Sequence, residues 1–303
     1  MHKPLVSIIS VNYNQAEVTC EMVASVLKAS YPRVEIIIVD NASPTDNPAI
    51  IKERFPEVEL VLSTKNLGYA GGNNLGIQHA KGDYLLFLNN DTEVEPGFLE
   101  PLIDLFLSNP KAGIASPKII FYGTDNLIQY AGSKGINSKT GRSITIGNME
   151  KDVGQHDRST TTALADGAAM MVPMEVVMRV GLMPELYFLY YEELDWCEMI
   201  KRAGYICHYV ADSKIYHKES TSVGKASVLK TYYMNRNRLL FLRRNTSGLA
   251  FLSSTMVFLM AAVPKKVVQF TAKREWQHLN AIGRGLWWNL KTRNVQPASQ
   301  LPI

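Results

Sequence analysis

The chain has 303 residues, of which 46% are hydrophobic and 20% charged, which is enough to bury a full α/β core and excludes a disordered protein. Its net charge of +4 is uneven, because residues 1–224 carry 19 basic and 27 acidic side chains, whereas residues 225–303 carry 13 basic residues and a single acid. Three cysteines without a CxxC spacing favour a reducing compartment over a disulfide framework, so we expect a cytoplasmic protein.

Apolar, β-branched runs alternate with helical segments over the first ninety residues. In chain order these are Leu5–Val11, Glu17–Ala29, Val34–Val39, Leu60–Leu62, Ala70–Ala80 and Tyr84–Leu88. Near-continuous apolar strands are typical of a parallel sheet covered on both faces, and such sheets bind ligands at the carboxyl ends of their strands. We therefore predict an α/β fold with a mostly parallel, helix-flanked sheet, and functional residues at its strand ends.

Polar side chains follow the first two strands. Asn12 and Asn14 follow the first strand, and Asp40 and Asn41 follow the second. A carboxylate at such a position can accept hydrogen bonds from ribose hydroxyls or from a uracil or thymine imide, which makes Asp40 a candidate for nucleotide recognition. The same residue also fits a turn or a helix N-cap just before Ser43.

Residues 66–76 contain four glycines and three asparagines. Glycine lets the backbone approach a ligand, and successive free amides can hold a diphosphate, so Asn66, Gly71 and Asn73 are candidate ligand contacts. The spacing fits neither the dinucleotide-binding GxGxxG motif nor the P-loop. A tight turn with a close helix–sheet contact is an equally good interpretation of each glycine.

An acid lies directly beyond the strand that ends at Leu88. Asn90 and Asp91 follow that strand, and a carboxylate there can hold Mg²⁺ or Mn²⁺ against a departing diphosphate. The competing interpretation is that Asp91 caps the helix that Pro96 helps to start.

Residues 123–162 are polar and aperiodic and predict a long excursion with a hairpin and a loop near the site. Ordered structure is expected to return from Ala163, with helices at Met174–Val180 and at about 192–202. The second helix starts with three acids, Glu192, Glu193 and Asp195, which favour a helix N-terminus and, when adjacent, can also raise the pKa of one member into the range of a general base.

His217 follows a strand-like run and could complete a metal site as a neutral imidazole.

Residues 225–303 predict a basic, amphipathic helical tail that is separate from a catalytic domain at residues 1–224. Residues 245–264 carry no charge, but they begin with Asn-Thr-Ser-Gly and have basic pairs on both sides. Because a spanning helix needs about 20 apolar residues, we expect this helix to lie in the membrane interface rather than to cross. Residues 267–290, with three tryptophans among basic residues, predict a second interfacial helix. The expected partner is the cytoplasmic face of a membrane and not a nucleic acid, since groove binding needs a continuous basic face.

Taken in order and spacing, these segments resemble family 2 glycosyltransferases of the GT-A fold, especially the bacterial rhamnosyltransferase-like branch. The resemblance runs from Val6 to about Leu240. The segments that carry it are Val6–Asn14, Val39–Ser43, Asn66–Gly76, Leu88–Thr92, Gly167 with Ala168, Val180–Leu182, Tyr187–Cys197 and His217.

The resemblance implies that the enzyme moves a sugar, with inversion, from a UDP- or dTDP-sugar to a lipid-linked saccharide used in cell-surface polysaccharide synthesis. It implies that Asp40 reads the nucleotide, that Asp91 ends a DxD-type metal motif and that His217 is a further metal ligand. Glu193 then corresponds to the general base. The candidate nucleotide-sugar contacts beside Asp40 are Asn12, Asn14, Asn41, Asn66, Gly71, Asn73, Asn90 and Gly167.

The chain departs from the family pattern at three places. Asn89 stands where stricter members have Asp, and Glu193 stands where Asp is usual, which makes Asp195 a possible substitute base. Residues 183–185 and Met199 also differ, which suggests an altered acceptor preference.

Two other functions compete with transfer. A nucleotidyltransferase would show a Gly-rich, basic loop directly after the first strand, and residues 12–15 show none. A non-catalytic membrane scaffold would not need Asp40, Asp91 and His217 together.

Overall fold

The computed structural model describes residues 3–137, 142–218, 227–292 and 295. The predicted boundary between the catalytic domain and the tail, at residue 224, lies outside the described residues.

The strands belong to one large sheet and one small hairpin. Their bounds are β1 Val6–Asn12, β2 Val34–Asp40, β3 Glu59–Leu62, β4 Tyr84–Leu88, β5 Thr92–Val94, β6 Ala112–Phe121, β7 Ile128–Tyr130, β8 Ser133–Ile136, β9 Ser143–Thr145, β10 Thr160–Thr162, β11 Ala169–Pro173 and β12 Ile206–His217. The large sheet runs in the order β10-β12-β6-β11-β4-β1-β2-β3, with β5 paired to β12 and β7 paired to β6. The hairpin pairs β8 with β9.

The sheet is mixed, not mostly parallel. Strands β3, β2, β1 and β4 are parallel, as the apolar runs predict, and β12 is parallel to β6. Between these two groups lies β11, which is antiparallel to both β4 and β6. The direction of β11 depends on where the preceding excursion returns to the sheet, which the sequence pattern does not indicate.

Helices cover both faces of the sheet. Their bounds are α1 Ala16–Val26, α2 Ala49–Arg54, α3 Gly68–Ile77, α4 Glu100–Ser108, α5 Met174–Val180, α6 Glu192–Arg202, α7 Val228–Asn245, α8 Gly248–Val257, α9 Val263–Ala272 and α10 Trp276–Lys291. The core on one face of the sheet includes side chains of α1, α2 and α4, and the core on the other face includes side chains of α3, α5 and α6. Ile8 belongs to one core and the next residue, Ile9, to the other, so both faces of β1 are covered and neither is exposed to solvent. The predicted helices at 174–180 and 192–202 are confirmed.

The polar excursion at 123–162 is held to the sheet by a buried cation. Lys118 on β6 is 1% exposed and forms salt bridges with Asp152, at 3.1 Å, and with Asp157. The excursion contains β7 to β10, so the predicted hairpin is present. Residues 138–141 lie outside the described part of the chain.

Helix α7 leads into a long apolar helix. A π-helical turn, Phe258–Ala262, joins α8 to α9, so that one helix runs from Gly248 to Ala272. Pro264 has no N–H and its ring crowds the carbonyl of the preceding turn, and a π turn directly before it accommodates both effects. Its length and composition would suit a membrane span, and among the described residues it is the one helix that does.

The predicted second interfacial helix over 267–290 is wrong as a continuous element. Helix α9 ends at Ala272, and Arg274 takes a left-handed conformation with φ of 57°. The N–H groups of Glu275 and Arg274 donate to Phe270 O and Thr271 O, at 2.8 and 3.0 Å, which is the two-bond pattern that closes helix C-termini. The chain then turns into α10, which packs against α7 through Asn289, whose Nδ2 donates to Arg236 O at 2.9 Å.

Candidate active site

A cavity of about 480 Å³ opens at the carboxyl ends of β1, β2 and β4. Its walls come from strand ends, from the segment before α6 and from the start of α7. The lining residues are Val11, Tyr13, Asn41, Asn66, Gly68, Tyr69, Asn89, Asn90, Asp91, Gln129, Asp166, Gly167, Ala168, Phe188, Leu189, Tyr190, Glu192, Glu193, His217, Leu229 and Lys230. This is the edge of the sheet at which strand order and polarity predict ligand binding.

Asp91 and His217 meet at one wall of the cavity. The pairing of β12 with β5 brings His217 opposite Thr92, so that His217 Nε2 lies 3.1 Å from Asp91 Oδ1. The other ring nitrogen, Nδ1, lies 2.9 Å from Gln129 Oε1. An amide oxygen only accepts, so Nδ1 donates to Gln129, while Nε2 donates to Asp91 when it carries a proton and can bind a cation when it does not.

This pair can hold a divalent cation only with help from a ligand. In the described part of the chain, no three His, Cys, Asp or Glu side chains are grouped closely enough to hold a metal by themselves. Asn89 Nδ2 lies 3.4 Å from His217 Nε2, so an amide stands where a further carboxylate would complete the set. One carboxylate and one imidazole suit a cation whose remaining ligands are phosphate oxygens and water.

Glu192 and Glu193 also line the cavity. They begin α6, and the preceding Tyr191 is left-handed with φ of 77°. Oε2 of each glutamate is buried and has no hydrogen-bond partner among the described residues. Burial, together with the nearby charge of Asp166, raises the pKa of Glu193 to about 7 against opposing backbone hydrogen bonds. Burial and the charge of Glu193 raise the pKa of Glu192 well above its usual range. A carboxyl group that titrates near neutrality and faces a cavity is suited to accept a proton.

Gly167 lets Glu193 approach the end of the sheet. A Cβ on Gly167 would lie 3.4 Å from Glu193 Cγ, so the glutamate side chain lies directly across this glycine. The Gly167 carbonyl accepts a hydrogen bond from Tyr69 OH at 2.6 Å. Gly167 therefore lines the cavity as predicted and gives the neighbouring acid its space.

Asp40 faces the loop that follows β2. It is 4% exposed, and its carboxylate accepts from Asn12 Nδ2 at 2.8 Å, from Ser43 Oγ at 2.6 Å and from Ser43 N at 3.1 Å. Neither Asp40 nor Asn12 lines the cavity. Asn14 is left-handed and accepts from Thr45 N, and it too lies outside the cavity lining. This geometry matches the turn interpretation of Asp40, and its role in nucleotide recognition stays a prediction.

Asn41 and Asn66 do line the cavity. Asn41 Oδ1 accepts from Leu67 N at 2.8 Å, and its Nδ2 donates to Asn66 Oδ1 at 3.1 Å. Asn66 Oδ1 also accepts from Gly68 N. The two amides thus fix the entry to α3. Asn90 lines the cavity as well and donates to Thr19 Oγ1 at 3.0 Å.

The predicted diphosphate cradle over residues 66–76 is wrong for most of its length. Residues 68–77 are helical, and Gly71 and Asn73 do not line the cavity. Asn73 Nδ2 donates to the carbonyl of Tyr69 within the helix. A Cβ on Gly71 would lie 2.8 Å from Leu67 Cβ, and one on Gly72 would lie 2.9 Å from Val11. These glycines let α3 pack closely, which is the second of the two interpretations given above.

Asp195 is not available as a substitute base. It is fully buried outside the cavity, where Arg244 Nε donates to its Oδ2 at 2.6 Å and Asn245 Nδ2 donates to its Oδ1 at 2.6 Å. Asp195 lies two residues after Glu193, and side chains two residues apart on a helix point in different directions, so Asp195 contacts α7 while Glu193 lines the cavity. Glu193 lines the cavity and Asp195 does not, and the role of Glu193 as the base stays a prediction.

Several cavity residues were not predicted from the sequence. Asp166 precedes the predicted Gly167 and could have been found from that position, whereas Gln129 and Lys230 have no distinguishing sequence signal. Lys230 Nζ lies 5.7 Å from the ring centre of Tyr190 and is the one lysine or arginine among the described lining residues. A phosphate in this otherwise acidic cavity would find a cationic partner there.

The sequence matches the family described as "Glycosyl transferase family 2" over residues 7–178. It is 23% identical over 268 residues to an N-acetylglucosaminyl-diphospho-decaprenol L-rhamnosyltransferase of Mycobacterium tuberculosis, covering 80% of this chain and 85% of that protein. It is 26% identical over 275 residues to a dTDP-rhamnosyl transferase, RfbF, of Shigella flexneri, covering 83% and 86%.

Solved structures share the fold. A mannosyltransferase of Pyrobaculum calidifontis, in complex with GDP-Man and Mn²⁺, superposes with a TM-score of 0.58 at 16% identity and covers 97% of this chain and 89% of its own. GalNAc-T7, with UDP, GalNAc and Mn²⁺, gives a TM-score of 0.61 at 18% identity and covers 84% and 54%. At these identities the likeness concerns the fold, and it confirms the predicted GT-A fold.

Proposed function

This chain belongs to glycosyl transferase family 2, in its rhamnosyltransferase-like branch, and from that premise we propose that it transfers a hexose, L-rhamnose above all, from a UDP- or dTDP-sugar to a lipid-linked saccharide. The observation that carries the proposal is one cavity whose lining includes both a buried pair of carboxyl groups, Glu192 and Glu193, and the pair Asp91 and His217. The names of the two rhamnosyltransferase relatives support the choice of sugar and of a lipid-linked acceptor.

The proposed reaction inverts the anomeric carbon. Glu193 accepts the proton of an acceptor hydroxyl, the hydroxyl oxygen bonds to the anomeric carbon, and the bond from that carbon to the diphosphate breaks with its electron pair leaving on the nucleoside diphosphate. The hydroxyl attacks from the face opposite the leaving group, so no covalent enzyme intermediate is needed. Glu192, whose pKa lies above that of an ordinary carboxyl, keeps its proton and can donate a hydrogen bond beside the base.

Asp91 and His217 are the residues that would hold Mg²⁺ or Mn²⁺. Asp91 Oδ1 and His217 Nε2 lie 3.1 Å apart and would supply one oxygen and one nitrogen ligand once Nε2 is unprotonated. When bound, the cation would neutralise charge on the departing diphosphate. Asp91→Ala should abolish the Mn²⁺-dependent part of nucleotide binding, measured calorimetrically with nucleoside diphosphate, while Asp125→Ala, at an exposed loop acid, should not.

The long helix from Gly248 to Ala272 supports a location on the inner face of the membrane. Near its middle, Phe258 is 1% exposed and lies under the guanidinium of Arg238, at 4.6 Å. Further along, Lys266 Nζ lies 3.3 Å from Asn235 Oδ1. A crossing helix would carry Arg238 toward the hydrocarbon, which is costly, so these contacts favour a helix that lies along the surface. Such a location would bring the cavity to a lipid-linked acceptor.

Neither alternative function gains support from the cavity. A nucleotidyltransferase needs basic residues after β1 to bind a triphosphate, and Tyr13 is the residue there that lines the cavity. A scaffold would gain nothing from unsatisfied buried carboxyl groups, because each costs stability.

A donor screen tests the proposal. Purified protein is incubated with Mn²⁺ or Mg²⁺ and a panel of UDP-, dTDP- and GDP-sugars that includes dTDP-L-rhamnose, with and without a polyprenyl-diphosphate saccharide, and nucleotide release is measured. We expect turnover with a dTDP- or UDP-sugar, reduced about a hundredfold or more by Glu193→Gln. The matched control is Glu198→Gln, which removes an acid from the same helix outside the cavity. Turnover equal in the two variants, or none with any sugar nucleotide, would contradict the proposal.

A further inference from the structure

Helix α7, which the sequence assigns to a tail, holds the segment that precedes the two cavity glutamates. Residues 186–191 join the sheet-covering part of the chain to α6, and Glu192 follows directly. Three residues of this segment, Phe188, Tyr190 and Tyr191, have positive φ of 64°, 67° and 77°. Bulky residues rarely adopt this conformation, and it persists only where surrounding contacts determine it.

The contacts come from two consecutive side chains on α7. Asn237 Nδ2 lies 3.0 Å from the carbonyl of Tyr187, 2.7 Å from that of Leu189 and 2.8 Å from that of Tyr190. Arg236 Nη2 donates to the carbonyls of Leu186 and Tyr187 at 2.8 and 2.6 Å. The remaining carbonyl of this run, that of Phe188, accepts from Tyr69 N at 2.7 Å. Each of the five consecutive carbonyls of residues 186–190 therefore lies within hydrogen-bond distance of a donor outside the segment, and Tyr187 O in addition accepts from Leu189 N at 2.7 Å.

The two donor side chains are themselves fixed. Arg236 Nε donates to Asn237 Oδ1 at 2.7 Å, and the guanidinium lies between the rings of Tyr233 and Trp288, at 4.7 and 4.5 Å from their centres. Asn237 is fully buried. A rigid donor pair of this kind can impose a backbone conformation that the segment would not adopt alone.

We infer that Arg236 and Asn237 are positioning residues, which hold residues 186–191 in their left-handed turns and so aim Glu192 and Glu193 into the cavity. The expected effect of the two residues on catalysis rests on the proposed role of Glu193, whereas their expected effect on the conformation of residues 186–191 does not. It makes α7 a part of the catalytic unit, and a chain cut at residue 224 would lack both donors.

Asn237→Asp tests the inference with little change in volume, because a carboxylate cannot donate to the three carbonyls. The control is Asn235→Ala, on the same helix, where the amide is also buried but donates to the Thr231 carbonyl within α7 at 2.6 Å. Arg236→Gln provides a second variant, and urea unfolding establishes that each protein is folded.

The first measurement is hydrogen–deuterium exchange of peptides over 186–193, which needs no substrate. We expect faster exchange there in Asn237→Asp and Arg236→Gln, and no change in that peptide for Asn235→Ala. Unchanged exchange in both variants overturns the inference, whether or not the protein proves to be a transferase.

The second measurement separates kcat from KM with the donor identified in the screen. We expect kcat to fall roughly tenfold to a hundredfold, because a displaced base loses its alignment, while KM for the donor changes less than about threefold. Asn235→Ala should match wild type in both constants. A rise in KM with kcat unchanged would overturn the positioning role of the pair while leaving the proposed transferase activity intact.

Discussion

At the scale of single residues, the buried carboxyl groups of the cavity lower the stability of the folded protein when they are charged. The burial that raises the pKa of Glu193 to about 7 makes it a base near neutrality. The same burial disfavours its charged form in the folded state. The folded protein then holds a proton that the unfolded chain has released, at every pH between about 4.5 and 7.

Glu193→Gln should therefore stabilise the protein at alkaline pH. Because the folded-state pKa is raised, the stabilising contribution of protonated Glu193 is complete below pH 4.5 and is lost as the pH rises through about 7. The amide of the Glu193→Gln variant does not ionise, so the variant does not lose stability as the pH rises. Its free energy of unfolding should exceed that of wild type by up to about 3 kcal/mol at pH 8 and match it near pH 4.5.

Urea unfolding at pH 5, 6, 7 and 8 measures this difference. Glu198→Gln serves as the control and should parallel wild type at each pH. A constant offset between Glu193→Gln and wild type across the range would contradict the assigned pKa. Activity should follow the opposite trend and rise through the same pH window, since the base acts in its charged form.

Asp195 gives a second prediction at this scale. Its salt bridge to Arg244 is buried at both ends, with side-chain exposures of 0% and 3%. Asp195→Asn should lower the free energy of unfolding by about 3 kcal/mol, because it leaves Arg244 buried without its counter-charge. Turnover per folded molecule should stay within about threefold of wild type if Glu193 is the base. A hundredfold loss of kcat in a folded Asp195→Asn protein would instead restore Asp195 as a candidate.

At the scale of elements, glycine composition controls how closely α3 approaches the sheet. A Cβ on Gly76 would lie 2.4 Å from Ile9 Cγ2 and 3.3 Å from Val39 Cγ2, both in the core. At the start of the helix, Gly68 has φ of 72° and lies against the Phe188 carbonyl, which a Cβ would approach to 2.2 Å. The glycine-rich run thus positions one end of α3 beneath the left-handed segment at 186–191.

Gly76→Ala should lower the free energy of unfolding by about 1–3 kcal/mol through overpacking against β1 and β2. The matched control is Gly283→Ala on α10, where no atom lies within 4 Å of the added methyl group. Alanine has the higher helix propensity, so this control should be neutral or more stable by up to about 1 kcal/mol. Equal effects of the two substitutions in thermal or urea unfolding would show that α3 relaxes away from the sheet at no cost.

At the scale of the whole molecule, the basic tail is partly internal. Three arginines on α7 are buried, Arg236 and Arg244 in contacts with the body of the protein and Arg238 against Phe258, so the charge of residues 225–303 overstates the cationic surface. What the region exposes is apolar. On the helix from Gly248 to Ala272, Leu252, Met256 and Met260 are 55%, 55% and 74% exposed and follow one another at a spacing of four residues, while Ser254 and Phe258 are buried.

A triple substitution of Leu252, Met256 and Met260 to Gln should therefore weaken membrane binding. We expect flotation with vesicles of phosphatidylglycerol and phosphatidylcholine to fall about tenfold or more, since these side chains would enter the acyl boundary. The control replaces Leu62, Leu107 and Val153 by Gln, which removes three comparably exposed apolar side chains from the catalytic body. Equal flotation of the two triple variants would exclude this helix as the membrane-binding surface.

The sequence by itself determined the parallel half of the sheet, the helices at 174–180 and 192–202, and the edge at which Asn41, Asn90, Asp91, His217 and the Glu192-Glu193 pair come together. Hydrophobic periodicity fixes which segments are strands, and chain order fixes which of their ends face the same edge. These are local properties, and they can be read without knowing what packs against what.

Only the tertiary structure decided the direction of β11, the orientation of Asp40 and Asp195, and the role of α7. Each depends on a partner distant in sequence: β6 for the strand, Ser43 with Asn12 for the first carboxylate and Arg244 for the second. A carboxylate at a strand end or helix start can face either a cavity or a buried partner. The local sequence pattern is the same in both cases, so it cannot predict which of the two occurs. The role of the donor groups of Arg236 and Asn237 likewise could not be predicted from the sequence. It depends on the fold, which places the five carbonyls of residues 186–190 within hydrogen-bond distance of α7 and α3.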